Sequence, residues 1–223
     1  MTALNSLGLR IRAEFNRPEK SWIDRARAIP VAVIGDCAQR LQALPSGFSH
    51  YGGRQQFAGP ALTVRVRPGD NLFLHKALDL AQPGDVIMVD ADGATRSAII
   101  GAMMTNYAKS RHIEGLVVDG AIRDVKELAQ IDLAVLARGA TPNGPFKSGP
   151  GEIGQSISCG GISIAAGDLI VGDEDGALVI PLAEIETVIL AAEEKHRLEQ
   201  SWEKQIASGT WDRSWVDEAL AKL

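Results

Sequence analysis

The feature that most constrains the fold of this chain is a repeated exchange of hydrophobic period. Residues 61–66 place Leu62, Val64 and Val66 at every second position, the signature of a strand. Residues 71–80 return to helical spacing, and Pro83-Gly84 turns the chain into 86–89, an apolar run suited to a buried strand. Residues 99–109 read as a helix containing Gly101, and 116–118 as a further buried strand. Asp119-Gly120 then reads as a turn leading into a helix from about Asp124 to Gln130. Strands alternating with helices build βαβ units, so an α/β fold with some parallel pairing is predicted.

The flanks differ. Pro18 opens a helix over 19–29, a second apolar helix is expected over 31–41, and 45–59 reads as a loop. After Ala140 the segment 141–154, with Pro142, Pro145, Pro150 and interspersed glycines, reads as a loop. Short strands follow at 162–164, 169–171 and 177–180, and Pro181 ends the last of them. Residues 182–208 then form a long, charged amphipathic helix. Its apolar positions Ile185, Val188, Ile189 and Ala192 are expected to pack across a subunit boundary. The 223 residues are 45% apolar, and no linker separates two halves. One domain is therefore expected, with its core at about 31–181 and a helical tail at 182–223.

Charge narrows the partners. With 23 basic against 28 acidic residues the net charge is -5, which disfavours a phosphate backbone as the main ligand. Aromatic residues make up only 5%, too few for a single-strand stacking platform. No apolar run is long enough to span a bilayer, and residues 1–15 lack the apolar core of a signal peptide, so a cytoplasmic location is expected. Cys37 and Cys159 form no metal-binding pair and read as reduced thiols.

Several motifs fail on context. Gly149-Pro-Gly-Glu-Ile-Gly154 is a literal GxGxxG, but it follows a loop and leads into a strand, whereas a dinucleotide site needs a strand before it and a helix after it. Asp173-Glu-Asp-Gly176 lacks the spacing of a calcium loop and reads as a polar turn. His50, His75, His112 and His196 stand at no ligand spacing from one another; only His75, beside Asn71 and Lys76, is placed near a site.

The segment that carries chemistry runs from Gly115 to Glu127. A buried strand delivers Arg123 and Asp124 side by side at its end, where ligands bind in open α/β sheets. Arginine offers a planar fork to a carboxylate, and aspartate a hard oxygen to a divalent cation. Together they suit a 2-oxo acid. The same residues admit a plain structural reading: Asp124 and Glu127 have capping-box spacing, and Arg123 can serve a surface ion pair.

The run Asp119-Gly-Ala-Ile-Arg-Asp124, with Pro83-Gly-Asp-Val86 and Ala137-Arg-Gly-Ala-Thr-Pro142, resembles the RraA-like family over about 31–209. The resemblance implies a compact α/β/α arrangement of the swivelling-domain type with a C-terminal helical tail, assembled as a homotrimer or homohexamer. It also implies a divalent-metal-dependent aldolase acting on 4-hydroxy-4-methyl-2-oxoglutarate or 4-carboxy-4-hydroxy-2-oxoadipate, with oxaloacetate decarboxylase activity. By resemblance Asp124 binds Mg²⁺ or Mn²⁺, Arg123 holds the pyruvate end of a small 2-oxo acid, and Gly101 with the amides of Met103 and Met104 completes the pocket. Glu199 corresponds to a glutamate that enters from a neighbouring subunit. Regulatory members, which bind a ribonuclease, commonly lack the intact Arg-Asp pair; its presence here favours the enzyme. Ala102 departs from the pattern, because many catalytic members carry an acidic residue there that orders water at the metal.

Overall fold

The computed structural model describes residues 6–223, so residues 1–5 of the N-terminal stretch considered above lie outside the described residues. Helices α1 (Lys20–Arg27) and α2 (Val31–Cys37) precede strands β1 (Ser49–His50) and β2 (Phe57–Val66). Then come α3 (Leu72–Leu80), β3 (Val86–Ile100), α4 (Ala102–Ser110), β4 (Gly115–Ile122), α5 (Val125–Leu128) and β5 (Ala134–Ala140). Short strands β6 (Gly151–Ile153), β7 (Ile157–Cys159), β8 (Ile162–Ile164), β9 (Leu169–Asp173) and β10 (Gly176–Ile180) lead to the long α6 (Ile185–Ser208) and a final α7 (Ser214–Leu220).

The sheet has eight strands in the order β1-β5-β4-β3-β2-β9-β10, with β6 also paired to β2. The alternation expected from the sequence appears as four parallel neighbours, β2 to β5. β9 and β10 extend the sheet antiparallel, as a hairpin closed by the polar turn at Asp173. Because side chains alternate along a strand, the sheet divides its apolar residues cleanly. Leu62, Val64, Ile87, Val89, Leu116 and Val118 pack under α3 and α4. Farther along, Leu169, Val171, Leu178 and Ile180 pack under α1, α2 and α6. The opposite face, with Phe57, Met88, Val117 and Leu136, is covered by β7 and β8. This is the mixed α/β architecture that was predicted, and no helix among the described residues is long and apolar enough to cross a membrane.

Five local expectations are corrected. Ile99 and Ile100 belong to β3 rather than to a helix: they are buried, and Ile100 pairs with Ile122 of β4, so the helix begins only after Gly101. Asp119-Gly120 is not a turn; both lie in β4, where Arg138 Nε, 2.6 Å away, and the Gly160 amide, also 2.6 Å, satisfy the Asp119 carboxylate. The helix from Val31 stops at Cys37, because Gln39 and Arg40 both turn to φ 59°. Residues 57–59 are the start of β2, and 151–153 form β6 on its edge, where backbone bonding to Val64–Val66 wins over loop composition. Finally, Ile185, Ile189 and Ala192 of α6 are buried within the chain against α1 and α2 and are not available to another subunit.

Candidate active site

The carboxyl ends of β2, β3 and β4 and the loop after β5 converge on one cavity of about 280 Å³, at the small end of ligand sites and suited to a compact acid. Asn71, His75, Ala98 to Gly101, Met103, Met104, Arg123, Asp124, Pro145 and Lys147 line it. Arg123 and Asp124 also line a second, more open hollow with Thr141 and Pro142, so the pair stands on the wall between the two. The sequence places both residues at the end of β4, and backbone bonds fix them there. The Arg123 amide donates to the Ile100 carbonyl at 3.0 Å, and the Thr141 amide to the Ile122 carbonyl at 3.0 Å.

Asp124 is held in the left-handed region at φ 62°, which turns its carboxylate away from its own short helix and toward α4. It makes no side-chain cap on α5, so the capping-box reading fails. Its Oδ2 instead accepts the Ala102 amide at 2.9 Å and lies 3.8 Å from Arg123 Nε. Oδ1 takes no hydrogen bond among the described residues.

Gly101 makes this approach possible. Its backbone is extended, and a β-carbon there would stand 2.4 Å from Asp124 Oδ2 and 3.0 Å from Arg123 Cγ. It also caps α4 without a side chain, leaving the first-turn amides free. Asp124 takes the amide of Ala102, and those of Met103 and Met104 remain for an anion. The two side chains do other work: Met104 is in the core and Met103 is exposed. Gly101→Ala should therefore displace the carboxylate or the Arg123 stem. An ångström-scale misplacement costs about a hundredfold in rate, so kcat/KM should fall by roughly that factor while the circular dichroism spectrum stays native.

A metal was expected on Asp124, and the donor set fits one. Among the described residues no cluster of three or more His, Cys, Asp or Glu could enclose a cation. A single accessible carboxylate with one free oxygen suits Mg²⁺ or Mn²⁺, which keep several water ligands and take the rest from substrate. Glu199 is not brought to this site within the chain; it lies on α6, 3.7 Å from Lys195, which in turn pairs with Asp36.

His75 lines the cavity, as its placement beside Asn71 near a site leads one to expect, whereas Lys147 escaped the motif reading. Lys147 and Asn71 enter the cavity because buried Asp70 ties their segments together, accepting the amides of Leu72 at 2.9 Å, Ser148 at 2.6 Å and Gly149 at 3.0 Å. Burial opposes the Asp70 charge, but these bonds outweigh it and hold its pKa below the ordinary carboxylate value. The tie is thus present at neutral pH and is lost as acid protonates the group.

The sequence profile of the RraA-like family, described as Aldolase/RraA, matches residues 29–179. The chain belongs to the RraA-like family. One RraA-like relative, from Halalkalibacterium halodurans and provisionally named 4-hydroxy-4-methyl-2-oxoglutarate aldolase, is 41% identical over 192 residues, 86% of this chain and 91% of its own length. A second, the 4-hydroxy-4-methyl-2-oxoglutarate aldolase of Thermus thermophilus, is 37% identical over 148 residues, covering 66% of this chain and 90% of its own. Among solved RraA-like structures, the RNA-processing inhibitor RraA from Thermus thermophilis superimposes with a TM-score of 0.64 at 34% identity, over 68% of this chain and 92% of that one.

Proposed function

We infer that the chain is a divalent-cation-dependent pyruvate aldolase, cleaving 4-hydroxy-4-methyl-2-oxoglutarate or 4-carboxy-4-hydroxy-2-oxoadipate and decarboxylating oxaloacetate. The observation that carries this reading is the Arg123–Asp124 pair, held against the free amides of α4 on a cavity of small-acid size. The names of the two relatives support its aldolase part, cleavage of 4-hydroxy-4-methyl-2-oxoglutarate.

Asp124 Oδ1 is the group that would hold Mg²⁺ or Mn²⁺. Such a cation supplies Lewis-acid withdrawal of charge from the 2-oxo group. Arg123 grips the carboxylate at the 2-oxo end and sets its positive charge beside the oxygen that gains charge as the carbon–carbon bond breaks. The Met103 and Met104 amides complete the anion site. Ala102 carries no proton acceptor and its amide is taken by Asp124, so the substrate hydroxyl proton passes to solvent and not to a side chain at that position. Loss of carbon dioxide from oxaloacetate builds charge on the same oxygen, so the same groups serve both reactions.

The test is pyruvate release from 4-hydroxy-4-methyl-2-oxoglutarate and from oxaloacetate, with chelator-treated protein and with Mg²⁺ restored. Mg²⁺-dependent pyruvate from both substrates, in excess of the protein-free rate, is expected, and pyruvate at no more than the protein-free rate from either would overturn the reading. The alternative is a non-catalytic protein that binds a ribonuclease, favoured by Ala102 and by the solved Thermus relative, which is described as an RNA-processing inhibitor. On that alternative Arg123 and Asp124 are dispensable.

The reading includes a homotrimer or homohexamer, in which Glu199 reaches a neighbour's site. Beyond the part of α6 that packs on its own chain, Leu198, Trp202 and Ile206 recur every four residues and are exposed, Ile206 by 53%. A stripe of that spacing is one helix face. Trp202→Glu with Ile206→Glu should dissociate the assembly in sedimentation and lower activity, whereas Glu199→Gln should lower activity with the assembly intact. A fully active wild-type monomer would refute the trans arrangement.

A further inference from the structure

Arg123 reaches across the site without a hydrogen bond to hold it. Among the described residues its guanidinium donates to no acceptor, and its one ion-pair contact is Asp124 Oδ2, 3.8 Å from Nε. A long, half-exposed side chain so loosely tied keeps rotamer freedom that it must give up when it grips a ligand. What fixes its course is contact with backbone. A β-carbon on Gly101 would stand 3.2 Å from Nε, and one on Gly144 3.2 Å from Nη1, so the side chain lies in a slot between two glycines.

At Gly144 the glycine serves space and not backbone freedom. Its φ is not positive, so its conformation does not call for glycine. Leaving aside its chain neighbours, Nη1 of Arg123 is the one heavy atom that a β-carbon there would meet within 4 Å. Gly144 belongs to the loop after β5, and Asn143 ties that loop down. The Ala98 amide donates to the Asn143 carbonyl at 2.8 Å, and Asn143 Nδ2 donates to the Arg96 carbonyl at 3.0 Å. Main chain and side chain of Asn143 are thus both stitched to β3. The next backbone tie along the loop is the Phe146 amide on the Gly69 carbonyl at 2.8 Å. Asn143 itself lines neither the cavity nor the hollow beside it.

We propose that Asn143 is a positioning residue for Arg123: by pinning Gly144 it sets the outer jaw of the slot that keeps the guanidinium aimed at the substrate carboxylate. The role rests on Arg123 holding that carboxylate. It places part of the site's preorganisation on a residue that no ligand touches.

Oxalate is the probe, titrated calorimetrically with Mg²⁺ present into wild type, Asn143→Ala, Gly144→Ala, Arg123→Ala and the two double variants. Asn143 is exposed, so its alanine variant should melt like wild type. Gly144→Ala leaves both Asn143 bonds in place and intrudes on the slot directly, so it keeps the test standing if the first variant misfolds. Each loop variant alone should weaken oxalate about threefold to tenfold, the scale of one hydrogen bond of lost preorganisation. Neither should weaken it further once Arg123 is alanine, because residues that act through one another do not add. Mn²⁺ affinity should stay at the wild-type value, since the Ala102 amide and not the loop holds Asp124. Three results overturn the positioning role while leaving the aldolase reading intact: wild-type oxalate affinity in a folded loop variant, a parallel loss of Mn²⁺ affinity, or a loss that recurs in full in the Arg123→Ala background. If wild type binds no oxalate, or Arg123→Ala binds it as tightly as wild type, the aldolase reading falls and takes the positioning role with it.

Discussion

Asp124→Asn should reduce kcat by on the order of a thousandfold, the rate equivalent of several kcal/mol of Lewis-acid stabilisation, while the protein stays folded. Asparagine is among the residues most at home at positive φ, so it can keep the φ of 62° found here. Its carbonyl can still accept the Ala102 amide that Asp124 Oδ2 now takes at 2.9 Å. No helix cap is lost, because Asp124 makes none. What disappears is the negative charge at the free oxygen, and with it affinity for Mn²⁺ or Mg²⁺. Three readings on one sample check this: thermal melting, Mn²⁺ titration and pyruvate release. A folded variant with wild-type Mn²⁺ affinity and turnover would remove Asp124 from the cation site.

Arg123→Lys should raise KM for every 2-oxo acid by about tenfold to a hundredfold, corresponding to the ~1.5–3 kcal/mol of a hydrogen bond to a charged group. Lysine keeps the charge but not the planar fork. The Arg123 side chain passes close to backbone at both ends: its Cγ and Nε crowd Gly101, and its Nη1 stands 3.2 Å from where a β-carbon on Gly144 would lie. A point charge on a flexible stem would not hold that course. Inhibition by oxalate, which shares the carboxylate, should weaken in parallel, and Mn²⁺ binding should survive. Were Arg123 only an ion-pair partner of Asp124, at 3.8 Å and about half exposed, lysine would substitute with little kinetic change.

The part of the fold that was legible in sequence is the part set by local period. Residues 61–66, 71–80 and 116–118 each announce their element by the spacing of apolar side chains, and the order of elements dictates parallel pairing. The pair at the end of β4 was legible for the same reason, because a strand end in such a sheet is where ligands collect. What stayed hidden depends on partners distant in sequence. β3 runs to Ile100 through register shifts against β4, and no local pattern reports a bulge. Asp119-Gly120 has turn composition, yet Arg138 and Gly160 satisfy the carboxylate and keep the pair in a strand. The capping-box spacing of Asp124 and Glu127 was degenerate, and the Ala102 amide decided it. Lys147 reached the cavity through hydrogen bonds that Asp70 accepts from amides nearly eighty positions away, for which the sequence offers only an aspartate in a turn and a lysine among prolines and glycines. In α6 the apolar spacing was legible, but the cover of Ile185, Ile189 and Ala192 is α1 and α2 of the same chain and not another subunit.

The central claim is that Arg123 and Asp124 stabilise charge on the oxygen of a 2-oxo acid. Exchange of the methyl protons of pyruvate in D₂O, followed by proton NMR, reads that step without requiring the natural substrate. Wild-type protein with Mg²⁺ should exchange them far faster than buffer with Mg²⁺ alone, and exchange should collapse in Asp124→Asn and on addition of chelator. Exchange at the buffer rate in folded, Mg²⁺-supplied wild-type protein would contradict the account.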